Sequence, residues 1–288
     1  QNGGTRGLFG GGYIGGGGGV VNEIDFIKFE TTGNAIDFGN LQQARRGIAG
    51  LGSRTRGIFA GGRVPGDVNS IEFVTIASQG GGADFGDLTI TSHYGTGLSN
   101  GTRGIILAME NPSWGNNNSN RIDYITIATK SNSQDFGDLY SGTRETDGCE
   151  SPTRGVVFGG TPNATNIIQY ITMATQGNSA DFGDTTVTSQ RGSAGGNAVR
   201  GIFTIGVTPT TVNTVEFITI ATLGNAQDFG DLTEVRGNAT GTSSSTRMVN
   251  VGGASPSIVD TIDYAQIMTT GNFINFGELA GSDRSQLG

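Results

Sequence analysis

The strongest constraint on this sequence is a pair of aromatic residues twelve positions apart, which occurs six times. The first aromatic lies in an apolar run such as Phe217-Ile-Thr-Ile-Ala-Thr, and the second lies in Asp-Phe-Gly-Asp-Leu or a close variant. A Gly-Asn pair between the two runs predicts a tight turn between two strands. Copies recur every 46–51 residues, a spacing typical of solenoids, propellers and arrays. The six pairs are Phe26/Phe38, Phe73/Phe85, Tyr124/Phe136, Tyr170/Phe182, Phe217/Phe229 and Tyr264/Phe276.

Each repeat unit opens with Thr-Arg-Gly or a variant of it, followed by a short apolar strand such as Ile58-Phe59-Ala60. A loop then leads to the strand that carries the first aromatic. Both faces of that strand are largely apolar, so we expect neighbouring sheets to cover both of them. The six units begin near residues 5, 55, 102, 153, 199 and 246 and fill residues 1–288, which predicts a single β-propeller domain.

The segment between each Asp-Phe-Gly-Asp-Leu run and the next opening motif has a constant length of 13 residues. Nine residues follow Leu279 and four precede Thr5, so the two chain ends together supply the same 13. A ring whose last blade is built from both ends explains this sum, whereas a solenoid would need capping repeats. Ring closure also removes open sheet edges. We therefore predict an all-β, six-bladed β-propeller with four-stranded blades, closed by the two chain termini.

Composition narrows the possible partners. Glycine supplies 52 of 288 residues, at fixed offsets in the units, which suits tight turns and close backbone approach. The formal net charge is −8, with 15 arginines and two lysines, so nucleic acid is not an expected partner. Apolar runs are too short to insert in a membrane as helices. Because the chain begins with Gln rather than Met, we expect a processed product or a segment of a longer protein.

Two sets of charged residues repeat with the units. An Arg occurs in every opening motif, and an Asp precedes the second aromatic in five units. Arg–carboxylate forks between strands or blades would explain both sets, while turn hydrogen bonding or a calcium site with six to eight oxygen ligands are the alternatives. We expect a structural role, without metal or cofactor. The two sets are Arg6, Arg56, Arg103, Arg154, Arg200 and Arg247, and Asp37, Asp84, Asp135, Asp181 and Asp228.

Catalytic motifs find little support in this sequence. The Asp-Phe-Gly triplets lack the catalytic loop and lysine of protein kinases, and Gly10-x-Gly12-x-x-Gly15 lacks the βαβ unit of a dinucleotide site. The single His, His93, and the single Cys, Cys149, lie in no nucleophile elbow, and we interpret His93 as a surface-loop residue. We expect a protein that is not an enzyme, with a carboxylate-only glycosidase as the catalytic alternative.

Length variation identifies a candidate binding face. Only the interval from the opening motif to the first aromatic varies, between 17 and 22 residues. In up-and-down blades these six loops leave one face of the ring, and loops on a rigid scaffold usually carry binding. The only Trp, Trp114, lies in one of the longest loops and suits sugar stacking or a protein contact, although packing over a blade edge is the more ordinary explanation. Candidate binding residues are Tyr13, Arg63, Asp67, Asn111, Trp114, Asn116, Asn117, Asn163, Thr208 and Ser257.

The combination of Thr-Arg-Gly, Ile-Thr-Ile-Ala-Thr, Gly-Asn-Ala and Asp-Phe-Gly-Asp-Leu resembles repeat proteins of marine bacteriophages, notably virion structural and tail-fibre-like proteins of cyanophages. The Gly-Gly strand ends resemble kelch-type propellers, in which the first strand of each unit lies nearest the axis, although the kelch Tyr and Trp positions are not matched. The phage resemblance implies a component of the extracellular virion, with other virion proteins as partners.

The favoured role within that resemblance is attachment to a glycan or a protein on the host surface. Capsid decoration or a purely structural place in the tail is the alternative within the same class. A carbohydrate-active hydrolase is the alternative from a different class.

Overall fold

The computed structural model describes residues 4–15, 19–110, 119–161, 164–254, 256–280 and 284–285. These residues form strands, turns and bends and include no helix that could cross a membrane. Antiparallel sheets are arranged as a six-bladed β-propeller, which confirms the fold expected from the repeats. Five blades show four strands each, and the first blade shows three strands within the described residues.

The strands of a blade are neighbours in chain order and are named here, from the axis outward, inner, second, third and outer. The inner strands are Ala49–Gly52, Thr96–Ser99, Asp147–Glu150, Ala194–Gly196 and Thr240–Ser243. The second strands are Arg6–Gly10, Arg56–Ala60, Arg103–Leu107, Arg154–Phe158, Arg200–Thr204 and Arg247–Val251. The third strands are Glu23–Lys28, Gly66–Thr75, Arg121–Thr126, Thr165–Thr172, Thr214–Thr219 and Thr261–Gln266. The outer strands are Ile36–Asn40, Ala83–Ser92, Gln134–Asp138, Ala180–Ser189, Gln227–Asp231 and Ile274–Glu278. Two-residue strands lie in the connections at Tyr13–Ile14, Gly19–Val20, Arg63–Val64, Val207–Thr208, Thr210–Thr211 and Arg284–Ser285.

The inner strands line the axis of the ring. Successive inner strands contact one another, and a Cβ on Gly97 would overlap the carbonyl oxygen of Gly50 in the blade before it. Glycine is therefore required where the inner strands approach each other most closely. The placement implied by the kelch resemblance is wrong, because the strand nearest the axis precedes the Thr-Arg-Gly motif instead of following it. A sequence repeat is thus offset by one strand from a blade.

The Asp-Phe-Gly repeat has a structural cause at the junction of two blades. The pairing of the third and outer strands shifts register at this motif, as at Asp84/Gly86 in the second blade, which forms a β-bulge. The glycine has a positive φ, 150° at Gly137, and a Cβ there would lie 2.5 Å from the carbonyl oxygen of Gly177 in the next blade. The motif therefore lets the turn of one blade pack against the outer strand of the blade before it.

Aromatic and aliphatic side chains fill the space within and between blades. The six aromatic pairs pack edge to face with ring centroids 5.6–6.2 Å apart. Each core cluster combines two neighbouring blades, as where Ile58 and Ile71 meet Ile106 and Ile125. Both faces of a blade are therefore covered, as the apolar third strands lead one to expect.

The expected forks between the repeated arginines and the repeated aspartates are wrong. Each arginine instead donates to a backbone carbonyl of the next blade and lies over the aromatic ring of the third strand in its own blade. Arg56 Nη1, for example, is 2.8 Å from Ile127 O, and Arg56 Cζ is 4.9 Å from the centroid of the Phe73 ring. The five repeated aspartates are exposed on the outer strands. Buried Arg–carboxylate pairs occur elsewhere, at Arg45–Glu72 and Arg236–Asp263, 3.0 and 2.7 Å apart.

The last blade joins the first through the same contacts that join all neighbouring blades. Gly33 N donates to Phe276 O at 2.8 Å, as Gly80 N donates to Phe38 O at 2.9 Å one blade further on. Arg284–Ser285 also pairs with Tyr13–Ile14, so that residues from the two chain ends form one sheet. The ring is therefore closed by the termini, as the sum of the terminal segment lengths predicts.

Candidate functional site

The loops of variable length all leave one side of the ring, called here the loop face. They connect the second and third strands of each blade and pass beside the connection from an outer strand to the next inner strand, as the bridges Arg46↔Arg63 and Arg144↔Thr161 show. The Gly-Asn turns and the Thr-Arg-Gly turns lie on the opposite side, because the strands alternate in direction. The variable loops are 11–22, 61–65, 108–120, 159–164, 205–213 and 252–260.

Half of the candidate binding residues can be placed on the loop face or beside it. The Tyr13 ring lies 5.4 Å beneath the guanidinium carbon of Arg46, Thr208 shares a hydroxyl hydrogen bond of 3.0 Å with Thr188, and Ser257 is exposed. Arg63 Nε lies 3.9 Å from Asp67 Oδ1 and Arg63 Nη1 lies 3.5 Å from His93 Nε2, so that both candidates belong to the charged cluster around His93 described below. The remaining candidates, Asn111, Trp114, Asn116, Asn117 and Asn163, lie outside the described residues.

The centre of the loop face carries a chain of five residues in the left-handed backbone conformation, called here the axial rim. They occupy corresponding places in successive blades, just before the inner strands, and have φ between 52° and 66°. Each N–H after the first donates to the carbonyl oxygen of the previous member, at 2.9, 3.4, 3.0 and 2.8 Å. The members are Gly47, Tyr94, Glu145, Arg191 and Asn238.

The axial rim is strained where its members are not glycine. A left-handed conformation costs an L-residue with a side chain roughly 1–2 kcal/mol, and Asn tolerates it better than Tyr, Glu or Arg. Glycine meets the same backbone demand in the second blade, at Gly47. Three other blades nevertheless keep large side chains at Tyr94, Glu145 and Arg191. Strained backbone retained around an opening is a feature of functional sites.

The side chains of the axial rim combine an ion pair, an aromatic ring and an amide. Arg191 Nε and Nη2 lie 2.7 and 3.4 Å from the two carboxylate oxygens of Glu145, and this hydrogen bonding raises the pKa of Arg191. Arg191 is 42% exposed, whereas Glu145 is 9% exposed. The Tyr94 ring lies 4.2 Å from the His93 ring, and the Asn238 carboxamide has no hydrogen-bond partner in the described part of the chain.

An axial cavity of about 180 Å³ runs along the inner strands beneath the axial rim. Asp147, two residues after Glu145, lines it; its two carboxyl oxygens accept hydrogen bonds of 2.7 Å from the N–H groups of Gly148 and Ala194. Burial raises the pKa of Asp147 to about 7, against the opposing effect of these two N–H groups. Asp147 lies in no motif of the sequence, and the only sign of it there is that Thr96 and Thr240 stand at the same place in other blades.

His93 is a buried residue, so its interpretation as a surface-loop residue is wrong. Its Nδ1 lies 3.1 Å from Asp67 Oδ1 and its Nε2 lies 3.5 Å from Glu110 Oε2, while Arg144 Nη1 lies 3.1 Å from Glu110 Oε1. Burial lowers the pKa of His93 despite the neighbouring carboxylate of Asp67. The cluster ties together the bases of two variable loops and the connection into the fourth blade.

Metal-binding and thiol chemistry find no support in the described residues. No group of three or more His, Cys, Asp or Glu in that part of the chain could hold a metal ion. Cys149 is buried against the backbone of Gly201, and burial raises the pKa of its thiol. A protonated, inaccessible thiol is not a nucleophile.

No protein-family model matches this chain, and no curated protein matches it either. The geometry of the loop face is therefore the basis on which a function can be assigned.

Proposed function

We propose that this propeller is a non-enzymatic binding module that holds its ligand on the loop face, centred on the axial rim. The observation that carries the proposal is the left-handed backbone at Tyr94, Glu145 and Arg191, where glycine would remove the strain. Side chains kept at such a cost at the centre of the loop face are best explained by contact with a ligand.

The buried side chains favour binding over hydrolysis. His93 is enclosed between Asp67 and Glu110, and both oxygens of Glu145 are engaged by Arg191. One observation favours a second candidate, a carbohydrate-active hydrolase: the pKa of Asp147 in the axial cavity, raised by burial to about 7, suits a general acid. Release of reducing sugar from a bound polysaccharide separates the two candidates, since a binding module returns its ligand intact.

The biological role that we propose follows from the resemblance of the repeats to phage virion proteins. The module attaches a virion to a glycan or protein of the host surface and has other virion proteins as neighbours. A ligand site on one face of a rigid ring leaves the opposite face and the circumference for those neighbours.

The test uses Tyr94→Gly and Arg191→Gly. Each variant removes a side chain from the axial rim and places there a glycine, which adopts the left-handed backbone conformation without strain. The matched control is Leu223→Ala, an exposed apolar residue on the opposite face. Adsorption of the purified protein to host cells should fall roughly tenfold or more for the rim variants and stay unchanged for the control. Loss of adsorption in the control alone, with both rim variants still binding, would place the ligand on the other face.

A further inference from the structure

We infer that Arg46 and Arg63, on the loop face of the second blade, bind the carboxylate or sulfate groups of an acidic glycan. This inference rests on the proposed function and adds the chemical class of the ligand. It depends on the pairing of the two arginines, the contacts of their guanidinium groups and the charges around them.

Arg46 and Arg63 face each other where the connection into the second blade passes its variable loop. Arg46 N donates to Arg63 O at 3.4 Å and Arg63 N donates to Arg46 O at 2.9 Å, so the two residues form a hydrogen-bonded antiparallel pair. Side chains of such a pair leave the same side of the backbone, with Cβ atoms roughly 5 Å apart. Like charges placed directly opposite each other are destabilising, so this pair costs stability.

The corresponding bridges of the next two blades join side chains that contact each other favourably. His93 Nε2 lies 3.5 Å from Glu110 Oε2, and Arg144 Nε donates to Thr161 Oγ1 at 3.1 Å. An acidic or a neutral partner is thus accommodated at the same place in neighbouring blades. The fold itself therefore does not require two arginines at the bridge in the second blade.

The guanidinium groups of the pair keep N–H donors available. Arg46 Cζ lies 5.4 Å from the centroid of the Tyr13 ring, and among the described residues this guanidinium makes neither a hydrogen bond nor an ion pair. A cation–π contact needs no hydrogen bond, so the fork of donors that fits a carboxylate or a sulfate remains free. The Arg63 side chain is 42% exposed, and its contacts are long, 3.5 Å from Nε to Pro65 O and 3.9 Å from Nε to Asp67 Oδ1. Both arginines can therefore bind an anion without giving up a short contact.

Positive charge is in excess around the pair. The carboxylate of Asp67 is balanced by Arg63 at 3.9 Å, and that of Glu110 is balanced at 3.1 Å by Arg144. Burial lowers the pKa of His93, which favours its neutral form between the two carboxylates. The second guanidinium of the bridge is thus not neutralised. The formal net charge of −8 does not cancel it, because charges further away than about 8 Å are largely screened at physiological ionic strength.

The arginine pair adjoins the axial rim. Gly47 follows Arg46, and a Cβ there would lie 2.7 Å from Cδ1 of the Tyr94 ring. A sugar held by its anionic group at the arginines therefore has an aromatic surface of the rim beside it. A nucleic acid suits the site less well, because a phosphate backbone needs a longer basic face than one pair of arginines.

The experiment compares polymers that differ chiefly in charge: polygalacturonate with its methyl ester, and dextran sulfate with dextran. Immobilised polymers are titrated at about 0.15 M salt with the wild-type protein, Arg46→Gln, Arg63→Gln and Arg63→Lys, after thermal melting has identified the folded variants. The matched control is Lys28→Gln, which removes the same charge from an exposed residue beside Arg6, on the side opposite the loop face.

We expect at least one acidic polymer to bind roughly tenfold more tightly than its neutral counterpart. This binding should weaken roughly tenfold in each Gln variant and stay unchanged in Lys28→Gln. Arg63→Lys keeps the charge but not the fork of donors, so it should retain part of the binding.

The outcomes separate the ligand class from the proposed function. Acidic polymers that bind no better than the neutral ones, or that bind both Gln variants as tightly as the wild-type protein, overturn the inference. Single-stranded DNA that binds more tightly than either acidic polymer, and is lost in the same variants, also overturns it. Adsorption of Tyr94→Gly to host cells tests the proposed function separately: a loss there upholds the proposed function even if the polymers give a negative result, and unchanged adsorption contradicts it.

Discussion

Arg247 in the last blade donates a hydrogen bond of 2.6 Å from Nη1 to the carbonyl oxygen of Phe29 in the first blade, 218 positions away in sequence. The guanidinium lies over the Tyr264 ring at 4.8 Å from its centroid, as the other repeated arginines lie over their own third-strand aromatics. The contact that spans the two ends of the chain is therefore the same contact that joins every other pair of blades. Because the contact is repeated, replacing one arginine measures what the contact contributes to the stability of the ring.

Replacement of a repeated arginine should destabilise the ring. Arg56→Ala removes a hydrogen bond to Ile127 O and a contact with the Phe73 ring, so we expect the free energy of unfolding to fall by about 1–3 kcal/mol. Asp84→Ala, at an exposed aspartate of the same blade, should change it by no more than about 0.5 kcal/mol. Urea denaturation measures both. Equal losses in the free energy of unfolding for the two variants would contradict this assignment and support an Arg–carboxylate fork. A loss of stability on adding a chelator, reversed by calcium, would support a calcium site.

Removal of the C-terminal end should weaken ring closure. Deleting residues 282–288 takes Arg284–Ser285 away from Tyr13–Ile14, and we expect the melting temperature to drop by several degrees. Removing one glycine of the tract 15–19, chosen from 16–18 so that the strands Tyr13–Ile14 and Gly19–Val20 are kept, is the control and should cost much less. Equal melting temperatures for the two deletions would contradict a role for the terminal segment in closure.

Stability should depend on pH through Asp147. The folded protein holds the carboxyl proton up to about pH 7 because burial raises the pKa, whereas the unfolded chain releases it near the ordinary value of 3.8. The free energy of unfolding should therefore fall as pH rises from about 4 to 7, by at most about 4 kcal/mol. In Asp147→Thr this contribution should vanish. Parallel pH profiles of the two proteins in thermal denaturation would show that Asp147 titrates normally.

The axial rim should prefer glycine over alanine, in contrast to a strand. At Arg191, the glycine variant should be more stable than the alanine variant by roughly 1 kcal/mol, because only alanine keeps the left-handed strain. At Val187, an exposed residue of an outer strand, the order should reverse by roughly 0.5–1 kcal/mol. Denaturant titration of the four variants gives both differences. The same order at both positions would mean that the rim stores no strain.

The sequence was informative where a feature depends on spacing. The interval from Phe217 to Phe229 and the constant 13-residue segment predict strands, their order and the closure of the ring. Spacing does not identify contacts, which is why the repeated arginines and aspartates share a period without sharing a bond. The axial rim was not predictable for a related reason. A left-handed backbone is indicated in a sequence mainly by glycine, and Tyr94 and Glu145 stand where glycine would be expected. The burial of His93 depends on two loops of different blades meeting over it, which no local pattern reports.

The offset of one strand between the sequence repeat and the blade has a consequence for biosynthesis. Each repeat supplies three strands of one blade and the inner strand of the next, so a ribosome that has released one whole repeat has not yet released one whole blade. The strand Arg284–Ser285, which pairs with Tyr13–Ile14, is translated after all six aromatic pairs. Tyr13–Ile14 must therefore wait, with an edge open to solvent, until Arg284–Ser285 has been translated. We expect newly made chains to be most vulnerable to edge-to-edge aggregation during that interval, and the finished ring to lose this hazard at a single late step.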